Sequence, residues 1–313
     1  MLAIHISRKT LKYAQLVNFK GTPFVESLGK MAVKEGLRTP DTTSAEVIRG
    51  LSEQISEIRN SAEFPDTSTH LVIDSDWFPM LVHEVDEVLS KSDIDKYLEW
   101  RIREMLESSG EHYRLLHQEL SSTDKTRHKY LSIGIPQTFD IWVNKVTEPS
   151  DLEVKNVTLD IQALGDLLAR ADLLDLEGGI QVILENKAGS VTCYIYKGKD
   201  YEGHFQATMD GDRKLTLSYT RGDSKLINSI LSAIEAALRG TQDPDTVITN
   251  LFYFTSTGDD SLLNNLQLFD TSCRPLNLVE HFNFRDPEYA NIDEYAIVLG
   301  ALSVEIAGGF DEA

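Results

Sequence analysis

Leu2-Ala3-Ile4-His5-Ile6-Ser7-Arg8-Lys9-Thr10-Leu11-Lys12-Tyr13 opens the chain as a strand, a tight turn and a second strand. Leu2, Ile4 and Ile6 alternate, and Leu11 and Tyr13 resume the alternation after the turn. Outward from this hairpin, Asn18-Phe19-Lys20-Gly21 reads as a second turn and 24–33 as a third strand. Thr43 and Glu46 form a capping box ahead of a helix with Val47, Ile48, Leu51, Ile55 and Ile58 on one face. The apolar run 69–74 then predicts a buried strand. The same grammar returns later. Strands at 181–184, 191–196 and 201–208 are joined by a turn at 185–190 and by Lys197-Gly198. A helix at 224–238 and a buried strand at 247–254 follow. Strand–turn–strand–turn–strand, helix, strand therefore occurs twice, which predicts an α/β protein of two like lobes.

Between the halves stands a different block. A strand at 81–85 precedes a helix capped by Ser92, with Ile94, Tyr97, Leu98, Ile102, Met105 and Leu106 at helical spacing. Strands at 113–120 and 130–135 flank a polar turn, and a short helix at 139–146 and a strand at 154–159 complete β-α-β-β-α-β. The expected organisation is 1–77 for the first part of one lobe and 78–160 for an inserted module. A return helix at 161–178 and a second lobe at 179–313 follow, with a strand near 275–279. A closing helix at 292–306, stopped by Gly308-Gly309, is free to pack back on the first lobe. In the module helix Trp100 falls beside the apolar stripe, and packing against the module's own sheet is the favoured place for it.

With 50 acidic against 30 basic residues, the net charge of −20 argues against nucleic acid and anionic lipid as partners. Two cysteines, Cys193 and Cys273, make no disulfide framework and suit a reducing cytoplasm. The first residues lack a signal-peptide pattern, and the apolar stretch 295–310 is too short to span a bilayer. Asn156-Val157-Thr158 and Arg221-Gly222-Asp223 then become chance matches.

Most chemical signatures are missing. No P-loop, dinucleotide fingerprint, nucleophile elbow or zincin motif occurs. Asp210-Gly211-Asp212 begins like a calcium loop but continues with Lys214 and Leu215. His112 and His117 are spaced to point to opposite faces, unsuited to one metal, and Cys193 reads as a buried apolar residue.

The turn at 5–9 and its repeat at 185–187 resemble the phosphate turns of actin-like (ribonuclease H-like) proteins. In particular, 2–12 resembles the first turn of the PilM family of type IV pilus assembly. The helix around Tyr97-Leu98-Glu99-Trp100, the strand Tyr130-Leu131-Ser132-Ile133-Gly134-Ile135-Pro136 and the tail Tyr295-Ala296-Ile297-Val298-Leu299-Gly300-Ala301-Leu302 are similar to PilM segments in the same order. The GspL cytoplasmic domain and FtsA share the broad architecture. The resemblance implies an actin-like fold of duplicated lobes and a cytoplasmic location, peripheral to the inner membrane through partners. It implies a groove between lobe and module that takes a short peptide of a PilN-like membrane protein, with no direct membrane insertion.

The departures from the family are concentrated in the nucleotide site. His5 stands where the family has a metal-holding Asp, and Ser7 where it has Gly. Glu185-Asn186-Lys187 replaces Asp-x-Gly, and Gly258 is the one glycine of the expected adenosine turn. The 208–247 stretch is too short for the family's base-covering subdomain. Four altered parts together favour a site without ATP hydrolysis, and hence a scaffold with no cofactor expected. The rival is an ATPase or kinase of the actin, sugar-kinase and chaperone group. It would bind ATP and Mg²⁺ with Arg8, Lys9 and Lys187 on phosphate and Glu185 on metal.

Overall fold

The computed structural model describes residues 1–33, 37, 40, 44–61, 68–86, 88–106, 112–120, 127–174, 178–187, 190–210, 214–239, 241, 248–255, 273–285 and 291–307, the last four as backbone. Thr43, Gly258 and the Gly308-Gly309 stop lie outside them.

Strands β1 (Leu2–Ile6), β2 (Thr10–Phe19) and β3 (Thr22–Ala32) form an antiparallel meander. Lys20 and Gly21 turn the second hairpin with φ of 54° and 83°, the left-handed pair that a two-residue turn needs. After helix α1 (Ala45–Ser61), strand β4 (Ser68–Ile73) lies parallel to β1, Leu2 opposite Thr69 and Ile6 opposite Ile73. All five residues of β1 are buried, as a strand covered on both faces requires.

The chain then leaves the sheet through a short 3₁₀ turn, Ser75–Trp77. It builds β5 (Met80–Asp86), α2 (Lys91–Leu106), β6 (Tyr113–Leu120) and β7 (Arg127–Pro136), a separate sheet of order β5-β7-β6. The Gly134 amide donates to the Pro79 carbonyl at 2.9 Å, so the insertion enters and leaves side by side.

The expected β-α-β-β-α-β module is therefore shorter by its last two elements. Helix α3 (Phe139–Thr147) packs on α1, and β8 (Glu153–Leu159) pairs parallel with β4 as fifth strand of the first sheet. Phe139, Trp142, Val143 and Val146 make an apolar face at i, i+3, i+4 and i+7 that buries in the first-lobe core, where Trp77 meets Trp142 edge to face at 6.1 Å. Two local corrections concern α2. Its N-cap is Ser90, whose Oγ accepts from the Asp93 amide at 3.3 Å, rather than Ser92. Trp100 is not core, being 54% exposed, because Ile94, Leu98 and Ile102 set the buried stripe.

Helix α4 (Asp160–Arg170) leads to the second lobe. There β9 (Ile180–Lys187), β10 (Ser190–Lys197), β11 (Asp200–Met209), β12 (Leu215–Gly222), α5 (Ser224–Leu238), β13 (Ile248–Thr255) and β14 (Cys273–Pro275) give a sheet of order β12-β11-β10-β9-β13-β14. Without β12 this repeats β3-β2-β1-β4-β8 with the same directions, so the two lobes follow one plan. β12, an edge strand, is absent from the sequence reading, and the last strand is Cys273–Pro275 rather than 275–279. β9 also continues through Lys187. Pairing of Glu185 with Thr192 and of Lys187 with Ser190 makes strand of residues that read as a turn.

The closing helix α6 (Ala296–Ala307), preceded by a 3₁₀ turn Ile292–Tyr295, returns to the first lobe. It lies across β1, β2 and β4 and along α4. Gly300 permits this approach: a Cβ there would stand 2.0 Å from the Ala163 carbonyl oxygen. Among the described residues no helix is long and apolar enough to cross a membrane.

Candidate functional site

The ends of β1 and β4 and the start of α4 meet β9, β10 and β11 across the cleft between the lobes. The first turn closes on itself. The Ser7 amide donates to the Thr10 carbonyl at 3.0 Å, the Ser7 hydroxyl donates to the same carbonyl at 2.9 Å, and the Thr10 amide donates to the Ser7 Oγ at 3.1 Å. Two groups that an anion would need are thereby engaged within the turn. Arg8 and Lys9 are exposed, while their carbonyls accept from the Leu37 and Val33 amides.

His5 is buried in β1, and its Nε2 lies 2.8 Å from Asp74 Oδ1 at the end of β4. On the other side of the cleft, Glu185 is buried and one of its oxygens is engaged twice. Tyr194 donates its hydroxyl to Oε2 at 3.0 Å, and Lys187 Nζ stands 3.1 Å from the same atom. Of the residues singled out in the sequence, His5, Glu185 and Lys187 come into this cleft. Ser7 closes its own turn, and Gly258 lies outside the described residues.

Four polar residues that sequence reasoning passed over complete the seam. Asp160 Oδ1 accepts from the Ser75 amide at 2.9 Å and from the Ile161 amide at 2.8 Å. Burial, with the charges of Asp74 and Asp76, pushes its carboxyl up to about 6. Asp76 shows the opposite balance. Burial would raise it, but a hydrogen bond from His204 (3.0 Å), then Lys187 and Arg8, hold it below the usual carboxylate range. Lys187 is a third case. Burial opposes its charge, yet Glu185, Asp74 and Asp160 raise it above an ordinary lysine. Its side chain is 39% exposed, so the carboxylates and not dry burial decide its state. Lys12, deep in β2, is lowered by burial against the pull of Glu185 and Glu294, and its ammonium donates to the Glu294 carbonyl at 2.9 Å.

Direct ties cross the cleft. The Tyr196 hydroxyl donates to the Ile161 carbonyl at 2.5 Å, and His204 on β11 meets Asp76 ahead of the module. Lys129 of β7 pairs with the buried Glu202 of β11, and β5 runs beside β12, so the module touches the second lobe.

Chemistry elsewhere is thin. Among the described residues no three His, Cys, Asp or Glu side chains stand close enough to hold a metal ion. His112 is exposed and His117 hydrogen-bonds Ser132 at 2.8 Å. Burial pushes the Cys193 thiol well up, which leaves it unreactive. The only precursor signals for Asp74, Asp76 and Asp160 were carboxylates at the ends of apolar runs.

No family model matches the chain, and no curated protein matches it by sequence. Solved structures do. The chain is similar to the structure of the PilM-PilN type IV pilus biogenesis complex with a TM-score of 0.64 at 15% identity, over 97% of this chain and 98% of that one. The cytoplasmic domain of Epsl, an inner membrane component of the type II secretion system of Vibrio cholerae, matches with a TM-score of 0.43 at 13% identity, over 96% and 94%. A Bacteroides thetaiotaomicron protein with an actin-like ATPase fold and unknown function matches with a TM-score of 0.42 at 10% identity, over 95% of each chain. The first of these likenesses fixes the fold. The chain has the actin-like fold of duplicated lobes, with a three-stranded sheet inserted in the first.

Proposed function

We propose that this chain is a non-catalytic, cytoplasmic scaffold of a type IV pilus or type II secretion-like inner-membrane assembly. In this reading it binds a short cytoplasmic peptide of a PilN-like membrane protein in the groove between the first lobe and the module. It is peripheral to the membrane through that partner. Support for the partner comes from the likeness to the PilM-PilN complex over nearly the whole of both chains. One observation carries the non-catalytic part: the groups that would face metal and phosphate are engaged with each other. Ser7 and Thr10 satisfy the first turn, and Lys187 and Tyr194 share the Glu185 oxygen.

Calorimetry with Mg-ATP tests that part. Heats are expected to stay at the level of dilution, and a low-micromolar Kd, about −8 kcal/mol, would establish the rival ATPase or kinase reading. The partner part is tested by excising 81–132 and bridging the stem that Pro79 and Gly134 hold together. The excised protein is expected to fold and to lose capture of the PilN-like protein of the same organism. Undiminished capture by a folded excised form would reject the groove.

A further inference from the structure

Among the described residues, every sheet edge but one has something to stop a further strand from adding. β3 receives the segment 283–285, the Val25 amide donating to the Asn283 carbonyl at 2.7 Å and the Arg285 amide to the Val25 carbonyl at 3.0 Å. β12 meets β5 of the module, and β14 has only three residues. β8 shows Lys155 and Glu153 to solvent and has a shift in its pairing with β4. β6 is the exception. It pairs with β7 through eight consecutive residues with no shift of register, has no strand on its other side, and carries no lysine or proline. Two bonds of β7 tell which groups of β6 face outward. The Gly134 amide points to β5, donating to Pro79, and the Gln137 amide points the other way, donating to the His112 carbonyl at 2.9 Å. Main-chain groups of successive residues point to alternate sides, so Ile133 and Ile135 face β6 and bond Leu116 and Arg114. The amides and carbonyls of Leu115, His117 and Glu119 therefore point away from the sheet. On this open edge Leu116 is 46% exposed.

We propose that β6 pairs antiparallel with β6 of a second copy of this chain, about a two-fold axis at Leu116, joining two three-stranded module sheets into one. The register follows from the outward groups. With Leu116 opposite Leu116 of the second copy, Leu115 falls opposite His117 and exchanges both main-chain bonds with it, and symmetry repeats the exchange. The two Leu116 side chains then form a non-hydrogen-bonded pair, with Cα atoms about 4.5 Å apart, and cover each other's apolar surface. Arg114 falls opposite Gln118 and Tyr113 opposite Glu119, so no like charges meet. Arg114 is already turned to Asp140 of α3 at 3.4 Å, which neutralises the one cation of the strand. β6 is thus its own complement, in bonding groups, in shape and in charge. The net charge of −20 opposes association only weakly at physiological salt, where charges more than about 8 Å apart are screened. The pairing depends neither on the state of the cleft nor on the proposed peptide.

Sedimentation equilibrium of the full chain from about 1 to 100 µM at physiological salt tests it. A reversible monomer–dimer equilibrium is expected. Leu116→Lys and Leu116→Glu, at a site exposed enough to take either charge, each place like charges on the axis and should weaken the dimer at least about tenfold. Mixing the two variants should restore it, because position 116 meets itself only at the axis. Leu116→Cys should cross-link to itself under mild oxidant, while the native Cys193 and Cys273 are buried and stay out of reach. A chain that remains monomeric throughout that range overturns the proposal, as does a dimer that neither charged variant weakens. A monomer whose Leu115, His117 and Glu119 amides exchange more slowly once a PilN-like cytoplasmic peptide is added would give the edge to that peptide, and the proposal would fall.

Discussion

Gly300→Ala is expected to lose about 3 kcal/mol or more of stability, in the range of severe overpacking. The added Cβ would stand 2.0 Å from the Ala163 carbonyl oxygen, 2.7 Å from its carbon and 3.3 Å from Leu167 Cβ. The first two are backbone atoms of α4, so no rotamer change relieves the clash. Either α6 lifts away from α4 or the helix distorts, and both uncover the core of the first lobe. Val298, Leu299, Ala301 and Leu302 are all buried in that core. Urea unfolding reads the loss directly. Since the clash is with backbone, Ala163→Gly in the same chain is expected not to restore stability. A Gly300→Ala protein within about 0.5 kcal/mol of the wild type would show that the two helices are not held at this distance.

Asp160→Asn is expected to stabilise the protein at alkaline pH, by about 2 kcal/mol at pH 8. The sign follows from the direction of the shift. The folded carboxyl sits at about 6, above its ordinary 3.8, so the folded state holds the proton more tightly than the unfolded chain. Its contribution is most favourable below the unfolded value and is lost as pH rises through 6. Asparagine is permanently uncharged, and its oxygen can still accept from the Ser75 and Ile161 amides. The advantage of the variant should therefore shrink toward zero as pH falls to 4. Unfolding free energies collected between pH 4 and 8 would expose the idea as wrong if the two proteins ran parallel throughout.

Most strands of both lobes were legible because they carry their own alternation and end in a local turn, whereas the edge strand β12 was missed and the short β14 misplaced. The membership of β8 was not. Ser68 pairs with Glu153 and Ile73 with Leu159, a parallel match across the whole insertion, and parallel pairing leaves no turn to read. Helix α3 was seen as a helix, but an amphipathic stripe does not say which neighbour it will cover. In the cleft, His5, Glu185 and Lys187 were visible through resemblance to a phosphate turn. Asp74, Asp76, Asp160 and His204 were missed because a carboxylate or histidine at the end of an element usually caps or faces solvent. Only the crossing of two lobes brings them to one place. Lys187 was placed in a turn from its polar neighbours, whereas the pairing with β10 carries the strand through it and gives the side chain its direction.

The return of α6 to the first lobe also fixes when that lobe can be finished. His70 in β4 meets the Ala301 carbonyl at 3.3 Å, and Lys12 and Lys30 both reach Glu294. The earliest strands thus wait for the last described helix to leave the ribosome. The core on one face of the second-lobe sheet draws on residues from Val182 to Cys273 alone and has no such debt, while Ile183, Tyr194 and Phe252 join the core that α6 completes. During synthesis that face of the second lobe can close first, and the first lobe, translated earlier, remains an open sheet until α6 has been made.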